Sequence, residues 1–212
     1  KSDEVICEMD AHIYYYEVGG IACLSGAQPR PIIGDRGILS AEQIKKAIRS
    51  SNVHAPDTGL ICLENTHNRA GGTLYPLENL QEIAELAAQH KIPVHMDGAR
   101  LFNAAVALNI PAAEITQHVQ TVQFCLSKGL AAPVGSLLTG SREFIEKARR
   151  FRKMVGGGMR QAGIIAAAGI VALTKMVDRL AEDHEHARIL ATGLREMGLH
   201  VDLTTVQTNI VI

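Results

Sequence analysis

Apolar residues along this chain recur in two rhythms: short unbroken runs, and longer stretches spaced at three and four residues. Unbroken runs occupy residues 3–8 (Asp-Glu-Val-Ile-Cys-Glu), 59–64 (Gly-Leu-Ile-Cys-Leu-Glu), 92–97 (Ile-Pro-Val-His-Met-Asp), 122–127 (Val-Gln-Phe-Cys-Leu-Ser) and 134–139. Runs of this length predict strands buried on both faces. Helical spacing fills the gaps between them. Ser40 is placed to cap a helix over 41–51, with Ile44, Ala47 and Ile48 on one face. Pro76 opens a second over 77–90, where Leu80, Ile83, Ala84, Ala87 and Ala88 align. Ser141 opens a basic helix running to about Met154, and a long helical stretch from Met159 breaks near Asp178 and continues to about Met197.

Strand–helix–strand repeats with continuous apolar strands predict an α/β fold around a mostly parallel sheet. The expected organisation is a large domain over residues 1–175, followed at 176–212 by a linking helix and the start of a small C-terminal α+β domain. The first residues and the final Thr-Asn-Ile-Val-Ile both read as strands with no turn beside them, so the chain is expected to continue beyond both ends.

Composition removes several classes of function. Apolar residues at 47% and charged residues at 20% suit a packed core rather than a disordered chain. A net charge of −1 with no basic stripe gives no reason to expect nucleic acid as a partner. The longest apolar stretch, Gly163 to Leu173, falls short of the roughly 20 residues a membrane span needs, and no secretion signal opens the chain. Cys7, Cys23, Cys62 and Cys125 lie on apolar segments without a CxxC pair. They read as buried free thiols of a reducing compartment, hence a cytoplasmic location. No set of histidines has zinc-ligand spacing, so no metal is expected.

Ligands of such sheets bind at the carboxyl ends of the strands. Three of those ends carry reactive residues: Glu64-Asn-Thr-His67-Asn, Asp97-Gly-Ala-Arg100 and Ser127-Lys128-Gly129. A lysine closing an apolar strand can be desolvated, which favours the neutral amine that forms a Schiff base. A carboxylate at a neighbouring strand end can keep a pyridinium nitrogen protonated. The combination meets the requirement of pyridoxal phosphate chemistry. Singly, each residue has a plainer reading: Asp97 as a turn or cap residue, Lys128 as a surface lysine with a buried stem, Arg100 as the partner of a helix acid.

Longer strings carry more. His12-Ile-Tyr-Tyr-Tyr-Glu-Val-Gly-Gly, Glu64-Asn-Thr-His-Asn, His95-Met-Asp-Gly-Ala-Arg-Leu-Phe-Asn-Ala, Cys125-Leu-Ser-Lys-Gly-Leu-Ala-Ala-Pro-Val-Gly-Ser and Arg152-Lys-Met-Val-Gly-Gly-Gly-Met-Arg-Gln, in this order, closely resemble the threonine aldolases. The resemblance runs from end to end of the chain. It implies a three-layer α/β/α fold of the aspartate aminotransferase type (fold type I) and pyridoxal 5'-phosphate as cofactor. It further implies a lyase that cleaves L-threonine or L-allo-threonine to glycine and acetaldehyde in amino acid metabolism. By the same resemblance Lys128 is the Schiff-base lysine, Asp97 the partner of the pyridine nitrogen, Arg100 the holder of the substrate carboxylate and His12 the ring stacked on the cofactor. His54, alone a solvated loop histidine, becomes the base for the β-hydroxyl proton. The chain departs from the family beside it, with Ala55-Pro56 where an aromatic residue often follows.

His67 is expected to hold the floor of the site, His95 to be structural, and His90, His118, His184, His186 and His200 to lie on the surface. Gly156-Gly157-Gly158 between Lys153 and Arg160 suits an anion cradle at a helix start. The resemblance implies that Lys153 and Arg160 reach the cofactor phosphate of a neighbouring subunit in a homotetramer with shared sites. It also implies that the main phosphate-binding loop precedes residue 1 and a second carboxylate-binding arginine follows Ile212, so the chain alone is expected to bind cofactor poorly. Two alternatives remain at this point: a tryptophanase-like β-eliminating lyase, and a non-catalytic α/β module.

Overall fold

Six strands form one sheet among residues 2–212, which the computed structural model describes: β1 (Glu4–Glu8), β2 (Gln28–Ile32), β3 (Thr58–Glu64), β4 (Val94–Asp97), β5 (Thr121–Cys125) and β6 (Ser136–Thr139). Their order is β2-β1-β3-β4-β5-β6, parallel throughout except for β6, which runs antiparallel to β5. The helices are α1 (His12–Tyr15), α2 (Gly20–Cys23), α3 (Ala41–Ala47), α4 (Leu77–His90), α5 (Leu101–Leu108), α6 (Ala112–Thr116), α7 (Arg142–Met154), α8 (Gly163–Lys175) and α9 (Leu180–Glu196). This is the mostly parallel α/β architecture that the apolar rhythm predicts.

Period-two alternation gives the sheet two unlike faces. Ile6, Ile61, Leu63, Val94, Met96 and Val122 line one of them. Against it pack Ile44 of α3, Leu80 and Ile83 of α4, Leu101 and Ala104 of α5 and Ile115 of α6, forming the main core. The other face begins apolar, with Val5, Cys7 and Cys62 under Ile21 of α2, and turns polar toward β4 and β5. On that side Leu126 and Leu130 pack with Ala172 of α8 and Leu180 of α9 in a smaller cluster. None of the helices is long and apolar enough to cross a membrane.

Boundaries follow local chemistry. Ser40 forms a full capping box with Gln43, its hydroxyl accepting from the Gln43 amide while the Gln43 side chain accepts from the Ser40 amide. The helix stops at Ala47, short of the expected residue 51, because the buried Glu4 carboxylate recruits Arg49. The Arg49 Nε and Nη2 each donate to it at 2.8 Å. Pro29 and Pro31 hide the edge strand β2 from a sequence reading, and α2, α5 and α6 are also additions to the expected elements.

The final Thr-Asn-Ile-Val-Ile is not a strand. Among the described residues no strand lies beside it, and it packs on the turn after β3, where Thr208 Oγ donates to the Gly72 carbonyl at 2.9 Å. The glycine triplet also departs from expectation. It follows the C-terminus of α7 rather than opening a helix, and α8 begins only at Gly163, so no helix-start amides from these glycines form a cradle. Of the four free cysteines Cys7 and Cys62 are buried, Cys125 is partly so, and Cys23 is exposed at the end of its short helix.

Two predictions test this packing. Tyr75 is fully buried, and its hydroxyl oxygen accepts the Leu39 amide at 3.1 Å. Tyr75→Phe would strand that donor, and urea unfolding should show a loss of about 1–3 kcal/mol. The second concerns acid. The Arg49 hydrogen bond, with help from Arg30, holds the Glu4 carboxyl below its ordinary 4.5 despite burial. The stability this group contributes is therefore complete above about pH 4.5 and is lost as the pH falls through the lower folded value. Urea midpoints of the native chain and of Glu4→Gln should differ near neutrality and converge in acid.

Candidate active site

The polar half of the second sheet face ends in a cleft of about 510 Å³ at the carboxyl edge of the strands. Register brings its residues together. Glu64 of β3 lies beside Asp97 of β4, Asp97 beside Gln123 of β5, and Cys125 beside Ser136 of β6. All five line the cleft, Glu64 buried at its back, and His12, Glu17, Asn68, His95, Arg100 and Lys128 join them in the wall. Asp97, Arg100, Lys128 and His12, four of the residues singled out from sequence, thus share one site.

Glu64 organises one side of it. Its Oε2 accepts the His12 amide at 2.5 Å and its Oε1 the Asn68 amide at 2.8 Å, so one carboxylate holds the start of α1 and the turn after β3. The His12 imidazole stands in the cleft paired with Glu17 at 2.9 Å. Behind them His67 is fully buried. Its Nδ1 accepts the Ala70 amide at 3.3 Å, which leaves the proton on Nε2 to donate to Glu8 at 3.2 Å. Gly37, at φ +82°, lies flat against this ring, where a Cβ would come within 2.3 Å. His67 holds the floor of the site and does not enter the cleft.

On the other side Asp97 Oδ1 accepts the Ala99 amide at 3.1 Å, closing a tight turn that leaves its second oxygen unbonded among the described residues. Gly98 permits this turn, since a Cβ there would press on the Gln123 carbonyl at 3.0 Å. The chain then places Arg100 as the residue before α5, and burial lowers its pKa although Glu64, Cys125 and Asp97 draw it up. Lys128 follows β5, and its Nζ donates to the Cys125 sulfur at 3.1 Å. The expected desolvation of this lysine is not supplied by the chain: the end of the strand is open and the side chain is exposed.

Three other expected residues stand elsewhere. His54 is exposed in the loop before β3, beside Ser2, Gln28 and Pro29. That is the amino edge of the sheet, and the seven residues of β3 separate it from the cleft by roughly 20 Å. Within one chain it cannot meet Asp97 and Lys128. Lys153, at the end of α7, and Arg160, in the loop beyond, are both exposed, and neither lines the cleft. The sequence reading missed Gln123, Cys125 and Glu17, and gave Glu64 no task. Counting back in twos from the strand ends would have found the first two. His95 is not merely structural, since it lines the cleft with Nδ1 against the Thr121 hydroxyl at 2.8 Å. His184 is half-buried rather than on the surface, with its Nε2 accepting from Asn103 at 3.1 Å.

The cleft lies outside the carboxyl ends of β3, β4 and β5, the side of an open α/β sheet on which ligands bind. The fold recurs in an aspartate aminotransferase from Thermus thermophilus, with a TM-score of 0.71 at 17% identity over 94% of this chain and 52% of that one. A threonine aldolase from Leishmania major matches at a TM-score of 0.81 and 22% identity, over 94% of this chain and 59% of that one. The architecture is therefore the aspartate aminotransferase-like, type I fold. Within it, the chain belongs to the beta-eliminating lyase family, whose profile matches residues 1–212. The low specificity L-threonine aldolase of Escherichia coli (strain K12) is 46% identical over 202 residues, which is 95% of this chain and 60% of that protein. The chain spans about 60% of the length of the curated relatives it matches.

Glu64→Gln would replace one accepting oxygen by a donor and leave an amide unpaired. Hydrogen exchange at His12 or Asn68 should then quicken by about tenfold, while amides of α4 stay protected.

Proposed function

We propose that the cleft is the core of a lyase site that cleaves the Cα–Cβ bond of L-threonine, L-allo-threonine and related β-hydroxy-α-amino acids, giving glycine and acetaldehyde. The observation that carries this reading is the convergence of Asp97, Arg100, Lys128 and His12 on one cleft. The names of the family relatives supply the substrate. Pyridoxal 5'-phosphate is the cofactor in this proposal, and the donor set suits it. Asp97 has a carboxylate oxygen free for a ring nitrogen, Lys128 an amine at the cleft for an aldehyde, and His12 an imidazole on the facing wall for a stacked ring. Once bound, the cofactor supplies an aromatic ring that accepts the electrons of the breaking bond.

The chain's own residues do the rest. Asp97 would hold a protonated ring nitrogen with its free carboxylate oxygen. Arg100 would hold the substrate carboxylate through its planar fork and so orient the bond to be broken. The β-hydroxyl must lose a proton. This chain brings two imidazoles to the cleft, His12 paired with Glu17 and His95 against Thr121, and neither is given the role of base in this reading. His54, Lys153 and Arg160 enter the proposal as residues acting from another subunit, the first as base and the other two on the cofactor phosphate. They require a homo-oligomer, proposed as a tetramer, in the cytoplasm. The division into a large domain over 1–175 and the start of a small one at 176–212 belongs to the same reading.

A second reading draws on the family description itself: β-elimination, which would release pyruvate and ammonia. Products decide between them. With pyridoxal phosphate and L-allo-threonine or L-threonine, the full-length protein should give equal amounts of glycine and acetaldehyde. Lys128→Ala should cut the rate on the order of 10³-fold or more. Pyruvate with ammonia would select the second reading, and no product from cofactor-loaded protein would end both.

A further inference from the structure

Cys125 has no part in the chemistry described so far, yet it occupies a conspicuous position in the cleft. It ends β5, half-buried on the polar face, and three polar side chains converge on its sulfur. Lys128 Nζ lies at 3.1 Å, Gln123 Nε2 at 3.3 Å and Ser136 Oγ at 3.4 Å. The ammonium and the amide can only donate, and the hydroxyl can turn to do so. A sulfur facing three donors is placed to accept, as a thiolate does better than a thiol. Burial pushes the thiol up, but the hydrogen bonds from Ser136, Lys128 and Gln123 outweigh it and leave Cys125 below its ordinary 9.0. The same cleft turns acids Glu64, Asp97 and Glu17 and bases His12, His95 and Arg100 toward the pair. Lys128 is the charged group that hydrogen-bonds the sulfur, beside the neutral Gln123 and Ser136.

We propose that Cys125 is a positioning residue for Lys128: its sulfur accepts from the Lys128 ammonium at the carboxyl end of β5 and fixes the amine at the cleft. The lysine's exposure makes such a partner necessary, since a long side chain at an open strand end otherwise samples many rotamers. With an aldehyde cofactor bound, Lys128 would be the amine at the cleft that reacts with it. The pairing stands on the chain's geometry alone. Its role at the aldehyde rests on the function proposed above.

The test separates the two. Alkylation of the chain by iodoacetamide, followed at the Cys125 peptide across pH, reports the thiol without any cofactor. A Cys23→Ser background removes the exposed thiol, while Cys7 and Cys62 are buried with raised pKa values, Cys7 to about 12. Lys128→Ala should move the Cys125 midpoint up by about one unit or more, and Lys128→Arg, which keeps a cation, should hold it low. Equal midpoints in the native chain and Lys128→Ala overturn the pairing.

In the second arm, full-length protein is mixed with pyridoxal phosphate and attachment at Lys128 is trapped with borohydride. Cys125→Ala should slow attachment by about threefold or more at a fixed pH, because the amine is no longer held at the strand end, and Cys125→Ser, which keeps an acceptor there, should restore much of the rate. An unchanged rate in Cys125→Ala overturns the positioning role. Absence of attachment in the native protein would instead count against the cofactor reading, leaving the alkylation result to decide the pair.

Discussion

The Glu64 carboxylate, buried at the end of β3, is the constraint on which the site depends. A buried carboxylate must find donors, and this one takes the amide of His12 and the amide of Asn68. It thereby ties a helix of only four residues, too short to be stable alone, to the most buried part of the sheet. His12 faces the cleft because its own backbone is held there. Glu17 and the tyrosines of α1 follow, and Arg69 stacks on Tyr15 at 4.0 Å to close the outer side. His67 and Glu8 perform a similar task one layer below, with the imidazole tautomer fixed by the Ala70 amide.

Alternation along the strands does the remaining placement. On β4, Val94 and Met96 enter the core while His95 and Asp97 face the cleft; on β5, Val122 goes inward while Gln123 and Cys125 do not. A slip of one residue in either strand would exchange the two sets, and in β4 it would bury the Asp97 carboxylate in the core. The reactive groups are therefore located by the same hydrophobic pattern that stabilises the fold. This explains how an aspartate and a lysine separated by thirty residues of sequence can share one cleft.

Much of this was legible in advance, and the failures have physical causes. The parallel strands, the Ser40 cap and the strand-end cluster of Asp97, Arg100 and Lys128 follow from apolar runs and from rules of sheet topology. The strand β2 was not legible, because two prolines in five residues contradict strand propensity unless the strand lies at an edge. The terminal Thr-Asn-Ile-Val-Ile has strand propensity but no neighbouring strand among the described residues, and propensity without a partner does not make a sheet. The shortening of the helix at Ala47 depends on Glu4, more than forty residues away, which no local window contains. The position of His54 before rather than after a strand puts it at the opposite edge of its own chain's sheet, a placement that likeness to a family does not convey. The exposure of Lys128 is likewise a property of what surrounds the strand end, not of the residues in it.

The prolines of β2 have one more effect. Gln28 turns its amide inward to the Asp3 carbonyl, and the Ile32 carbonyl receives the Met9 amide, so even-numbered positions serve β1. Pro29 and Pro31 occupy the alternate positions, whose amides would face outward, and they carry no hydrogen to donate. A stray strand approaching this rim meets carbonyls without the matching donors and cannot complete a ladder. Growth of the sheet past β2 is thereby blocked, so copies of this chain cannot join by strand addition at this rim.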